Sequence, residues 1–190
     1  LLCLCGGEER IVFSPRKYVK INFSSSGQQE AVWIFNLLYF YILRNKKIFL
    51  IMEEPEAHLY PTSQKRMAEA LGVFARGGNP VLVTTHSPYI LGQFNNMLYA
   101  GDLRERVDSV LKEKLDGILS PLTYLNPTST CASFLSDGKV SEAMEDGLIC
   151  NELIDEASVK INEEMDNLLA LEWDLNCMEE EDARKICKPV

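Results

Sequence analysis

Apolar positions along the chain fall into three kinds of pattern, and each predicts a different element. Between Arg10 and Phe23 they alternate loosely, as Ile11 and Phe13, then Tyr18, Val19, Ile21 and Phe23, on either side of Ser14-Pro15. That spacing predicts a pair of strands joined as a hairpin. A long run follows, Ala31 to Leu43, interrupted only by Asn36. It predicts a helix that is apolar nearly all round and buried on most sides. Ser26 with Gln29 three residues on makes a capping box, so the helix is expected to start there and to run to about Asn45.

The third pattern is the short unbroken run. Ile48–Met52 is one, and Val81-Leu82-Val83 within Pro80–Thr85 is another. Such runs predict strands buried on both faces, as in a parallel sheet. Between them Thr62–Arg76 reads as a helix, with Thr62 as its cap and Gly77-Gly78 as its stop. Ser87-Pro88 suits the N-cap and first position of a short helix through about Phe94. A strand–helix–strand unit of this length makes its strands parallel and its crossover right-handed. Both strands then end at one edge of the sheet, about 5 Å apart if they are neighbours.

Beyond this unit the patterns weaken. Asp102–Leu115 reads as a charged helix, and Cys131–Leu135 with Val140 onward as a hairpin turned at Asp137-Gly138. Asp146–Glu172 reads as a helix with an acidic outer face, and Asn176–Val190 as a loose tail. The fold expected is α/β, a mainly parallel sheet with flanking helices over residues 1–100, followed by an acidic mixed α+β extension over 101–190.

Charge sharpens that division. The net charge is −9. Residues 1–100 carry 10 Lys/Arg against 7 Asp/Glu, a net of +3, and residues 101–190 carry 9 against 21, a net of −12. A nucleic-acid surface in the second half is disfavoured electrostatically. No apolar run approaches the ~18–20 residues of a membrane helix. Six scattered cysteines form no C-x₂-C pair, so free thiols in a reducing cytoplasm are expected. Leu1–Gly7 lacks the charged start and cleavage site of a signal peptide, and the chain reads as a piece of a longer protein.

The candidate chemistry lies where the two short runs end. Glu53 and Glu54 follow Met52 directly, and then come Pro55 and another acid, Glu56. Pro55 has no N–H to continue a ladder. A carboxylate pair at a buried strand end is costly unless a cation meets it, and Mg²⁺ is one such cation. In an extended chain the side chains of Glu53 and Glu54 point to opposite sides. His86 follows the second strand, so Glu53, Glu54 and His86 converge on the edge where open α/β sheets bind ligands.

Three motifs stand in order: Ser24-Ser25-Ser26-Gly27-Gln28, then Ile48–Met52 with Glu53-Glu54-Pro55, then Thr84-Thr85-His86-Ser87. Together they resemble the second half of an ABC-type ATPase head, in the manner of bacterial AAA-type ATP-binding proteins of the OLD (overcoming lysogenization defect) and SMC-like group. The resemblance covers about residues 18–95. It implies the C-terminal lobe of a P-loop ATPase, with ATP and Mg²⁺ as cofactors. Ser25, Ser26, Gly27 and Gln28 match the signature loop, which presents a hydroxyl and a helix start to a γ-phosphate. Ile48–Glu53 matches the Walker B strand, so Glu53 is implied as the Mg²⁺ holder, where many relatives have Asp. Glu54 matches the catalytic base and His86 the switch histidine. Ala57-His58-Leu59-Tyr60 falls on the loop that crosses the dimer interface.

The resemblance also implies a homodimer closing on two ATP molecules, with DNA or an effector protein as a further partner and DNA repair or phage defence as the setting. No G-x-x-x-x-G-K-[ST] occurs in the 190 residues. The phosphate-cradling Walker A segment is therefore expected in an N-terminal region outside them, and this chain alone is expected to be inactive. Other readings stand beside this one. The module is alternatively a nucleotide-gated dimerisation scaffold with little turnover. A TOPRIM nuclease needs a D-x-D pair, and none occurs here. A metal-hydrolase cluster of His58, His86, Glu53 and Glu54 lacks the H-x-H or H-E-x-x-H spacing. Taken alone, the serine-rich loop is an ordinary helix cap and His86 a structural histidine.

Overall fold

The computed structural model describes residues 2–5, 8–14, 16–150, 160 and 162–169. The chain divides into two compact units, Leu1–Asn151 and Glu152–Val190. In the second, residues 162–169 are helical. The remainder of the acidic helix expected to reach Glu172, and the tail expected from Asn176, lie outside the described residues.

The first unit opens with an antiparallel sheet of β1 (Leu2–Cys5), β2 (Glu8–Ser14) and β3 (Lys17–Lys20). The hairpin expected around Ser14-Pro15 is the β2–β3 pair, with Ser14 opposite Lys17. A short 3-10 turn, Ile21–Phe23, leads into α1 (Ser26–Leu43). The crossover unit then runs through β4 (Leu50–Glu53), α2 (Pro61–Arg76) and β5 (Val81–Thr84). β4 and β5 are parallel neighbours, in register from Leu50 opposite Val81 to Glu53 opposite Thr84. α2 starts at Pro61 rather than at a Thr62 cap. Tyr60 is the N-cap and offers no side-chain bond, and proline's fixed φ preorganises the first turn. Gly78, at φ +82°, turns the chain away from the end of α2.

Three expectations about burial and extent are corrected. First, α1 is not enclosed. Only Gly27 and Leu38 on it are buried, and Trp33 is 57% exposed. Its inner residues Ala31, Ile34 and Leu38 pack on the core around Met67, Leu71 and Phe74, but nothing among the described residues covers its outer side. Second, β4 and β5 are buried on one face only. Leu50, Met52, Val81 and Val83 face that core, whereas Phe49, Ile51 and Leu82 are exposed, Ile51 to 62%. Third, this is the one parallel pair among the described residues, the other ladders being antiparallel. A parallel sheet normally has both faces covered. This one carries the apolar composition for that, with no covering layer on its outer face among the described residues.

α3 (Pro88–Arg106) is much longer than the helix expected to end near Phe94, and α4 (Ser109–Ile118) follows it. The charged stretch from Asp102 to Leu115 is thus split between two helices. The break is at Val107, where Asp108 becomes the new N-cap by accepting from the Leu111 N–H at 2.9 Å. The hairpin at Asp137-Gly138 is β6 (Ser133–Ser136) and β7 (Lys139–Glu142), with both turn residues at positive φ. A second such turn, Asp146-Gly147, joins β8 (Met144–Glu145) to β9 (Leu148–Ile149). It replaces the start of the helix expected from Asp146. Asp-Gly at positive φ is the type I′ signal, and it outweighs helical periodicity here.

Candidate functional site at the edge of the parallel pair

β4 and β5 end side by side, and the residues beyond them form the candidate site. Glu53 is the last residue of β4, exposed and opposite Thr84. Glu54 still donates its N–H to the Thr84 carbonyl at 2.9 Å, but its φ is +42°. The two carboxylates are therefore separated not by pleat alternation, as an extended chain would require, but by a left-handed residue. Such a conformation in a non-glycine residue costs ~1–3 kcal/mol and gathers at functional sites. The turn is closed by the Ala57 N–H, which donates to the Glu54 carbonyl at 2.9 Å. It aims the Glu54 carboxylate at the loop after β5, where Oε1 lies 3.4 Å from His86 Nδ1. Both side chains are more than half exposed, so the pair is open to a ligand.

Beneath the pair lies Glu56, which is 4% exposed. Its Oε1 accepts from the Thr85 hydroxyl and from the His86 N–H at 3.3 Å. Thr85 Oγ1 in turn accepts from the Ser87 N–H at 3.0 Å. Ser87 caps α3, as its place before Pro88 predicts, by accepting from the Tyr89 and Ile90 N–H groups at 3.2 and 3.4 Å. The Ser87 hydroxyl donates to Gln64 Oε1, and Gln64 Nε2 donates to the Leu59 carbonyl at 2.9 Å. The Leu59 N–H donates to the Glu56 carbonyl at 2.9 Å, which closes the ring. The residue pattern shows Glu56 only as one more acid and Thr85 only as a member of the Thr84-Thr85-His86-Ser87 motif, and it does not single out Gln64. The one sequence signal for Glu56 is an acid two residues after a strand-end carboxylate, across a proline.

The serine-rich loop lies elsewhere. Ser25, not Ser26, is the N-cap of α1, and the capping box is Ser25 with Gln28 rather than Ser26 with Gln29. Ser25 Oγ accepts from the Gln28 N–H at 3.3 Å, and Gln28 Oε1 accepts from the Ser25 N–H at 3.2 Å. Gln29 instead bonds the Ser24 carbonyl at 3.1 Å, so the pattern slid by one residue along three consecutive serines. Ser25, Gly27 and Gln28 line a groove of about 610 Å³ with His58, Ser63 and Arg66, and Glu53, Glu54 and His86 are not among its lining residues. Ser26 is exposed at the first position of α1. His58, at φ +61°, places Nδ1 3.1 Å from Glu30 Oε1 on α1.

Gly27 has a role that its motif does not announce. A Cβ there would lie 2.3 Å from the His58 carbonyl oxygen. Its absence lets the loop after β4 rest on the first turn of α1, which fixes the serine loop relative to the strand-end acids. Gly27→Ala is therefore expected to destabilise the protein by ~1–3 kcal/mol through overpacking, despite alanine's better helix propensity. Gly92→Ala is the control, because nothing lies within 4 Å of its added methyl. That change is expected to stabilise by up to ~1 kcal/mol. Urea unfolding of the two variants measures both signs.

The donor sets separate the metal readings. His58 is engaged with Glu30 and His86 with Glu54. Among the described residues no group of three or more His, Cys, Asp or Glu side chains is placed to hold a metal ion. A four-residue hydrolase cluster is thus not formed. Mg²⁺ makes a smaller demand, one or two carboxylates with water and substrate phosphates completing the shell. The exposed Glu53 carboxylate at the strand end fits that demand. No helix among the described residues is long and apolar enough to cross a membrane.

No curated protein and no solved structure matches the chain. The stretch from residue 7 to residue 91, which holds the serine loop, both strand ends and the turn at His86, matches the family of the AAA ATPase domain, and it is this similarity that supports an AAA-type ATPase domain there.

Proposed function

We propose that residues 1–100 are the C-terminal lobe of an ABC-type ATPase of the OLD/SMC-like group, and that residues 101–190 form its acidic extension. The observation that carries the reading is the Glu54–His86 pair, 3.4 Å apart, exposed at the common edge of two parallel strands and inside the matched stretch. Glu53 holds Mg²⁺, which when bound neutralises charge on the phosphates. Glu54 accepts a hydrogen bond from the attacking water and orients it, and His86 lies beside the same water and the γ-phosphate. Glu53, Glu54 and His86 do not line the groove of the serine loop, and that favours the loop's acting on the nucleotide of a second copy. Two heads then close face to face on two ATP molecules.

The missing piece is a phosphate cradle. We infer that a Walker A segment outside these residues supplies it, and that the strands around it extend the β4–β5 pair into a mainly parallel sheet. Its support is twofold: among the described residues β4 and β5 pair only with each other, which leaves their outer edges for further strands, and the bare apolar face of Phe49, Ile51 and Leu82 calls for the helical layer that covers a parallel sheet. The protein works in the cytoplasm under this reading, with DNA or an effector protein as its downstream partner. Titration of Mg-ATP into the 190-residue chain tests the division of labour. No saturation is expected below about the millimolar range, and a micromolar Kd would contradict it. The intact protein is expected to hydrolyse ATP with Mg²⁺.

A further inference from the structure

We propose that Glu56 is the positioning residue of the site, holding the His86 loop and the Glu54 turn in register through its buried Oε1. This rests on the ATPase reading above and names a part of the same site. Glu56 accepts two hydrogen bonds on one oxygen, while Oε2 is buried and has no hydrogen-bond partner among the described residues. An orphaned carboxylate oxygen in a buried position is costly. Core packing therefore does not explain the residue. What the carboxylate does hold is specific: the peptide N–H of His86 and the hydroxyl of Thr85, one residue before it.

The geometry points to a rigid connection between the two catalytic loops. Glu56 sits two residues after Glu54, inside the turn closed by the Ala57 N–H. Any shift of that turn moves Oε1 and with it the backbone of His86. The ring through Ser87, Gln64 and Leu59 ties the same unit to the starts of α2 and α3. Only the acceptor at Oε1 is used, so the charge is dispensable and the oxygen is not. Glutamine can supply that oxygen, and alanine cannot.

Steady-state ATP hydrolysis by the intact protein separates the possibilities. Glu56→Ala is expected to lower kcat by about 10–100-fold, because misplacing a reacting group by a fraction of its contact distance is that costly. KM for Mg-ATP is expected to stay within about threefold, since neither oxygen meets the nucleotide. Glu56→Gln is expected to keep kcat within about threefold of wild type. If Glu56→Ala does not fold, Thr85→Val against Thr85→Ser gives the same comparison at the other end of the bond, with loss for Val and retention for Ser. Retained kcat in Glu56→Ala, equal losses in Ala and Gln, or a loss confined to KM would each overturn the proposal. An inactive wild-type protein would overturn the ATPase reading along with it, whereas an active wild type with unaffected variants overturns the role of Glu56 alone.

Discussion

Replacing Glu54 by Gln in the intact protein is expected to slow ATP turnover by about 10²–10⁴-fold while Mg-ATP still binds. The substitution removes one negative charge and keeps the shape of the side chain. Its main-chain bond to Thr84 is untouched, so the left-handed turn at φ +42° stays in place. What is lost is the carboxylate that lies 3.4 Å from His86 Nδ1 and that, under the proposed reading, faces the attacking water. If opening of the dimer follows hydrolysis, the variant accumulates as an ATP-bound dimer, visible as an earlier peak in size exclusion. Glu53→Gln is expected to behave differently and to weaken the dependence on Mg²⁺, because Glu53 is the strand-end carboxylate that suits the metal. Wild-type turnover in Glu54→Gln, or identical behaviour of the two variants, would favour the nucleotide-gated scaffold over the ATPase.

Much of the site is legible in the residue pattern because the crossover unit is local. Two short apolar runs bracketing a helix place Glu53, Glu54 and His86 at one edge, and β4 and β5 are indeed parallel neighbours in that register. Capping chemistry at Ser87-Pro88 and turn chemistry at Asp137-Gly138 are equally local and equally readable. Burial is less so. An apolar run states that a surface needs covering, not which segment covers it. α1 and the outer face of β4–β5 therefore read as enclosed, although nothing among the described residues encloses them. Glu56 was obscured for a related reason. Its partners, Thr85 and His86, are 29 and 30 residues away, and only the folded turn brings them under one oxygen. The backbone of Glu54 is a third case. No local rule predicts a left-handed glutamate before proline, since such strain is maintained by the ladder and the turn around it.

Replacing Ser25 is expected to abolish ATP-driven dimerisation and leave nucleotide binding by the monomer nearly unchanged. Ser25→Arg places a bulky cation where a hydroxyl would meet the partner's γ-phosphate. It also removes the cap from α1, which costs about 1 kcal/mol. Ser25→Asp separates these effects, because aspartate caps a helix as well as serine does and yet repels a phosphate. Both variants are expected to stay monomeric with ATP. Equal loss of nucleotide binding by the monomer would mean that Ser25 serves its own site or only caps its helix.

Under the proposed reading, the serine loop of one subunit completes the site carrying Glu54 in the other. Mixing the inactive Ser25→Arg and Glu54→Gln proteins tests it most directly. In a mixed dimer, one site would combine the intact Glu54 of the first subunit with the intact Ser25 of the second, while the other site would carry both defects. ATP turnover is therefore predicted to rise well above that of either parent once subunits exchange. A mixture that exchanges subunits yet stays at the parental rate would contradict the composite site.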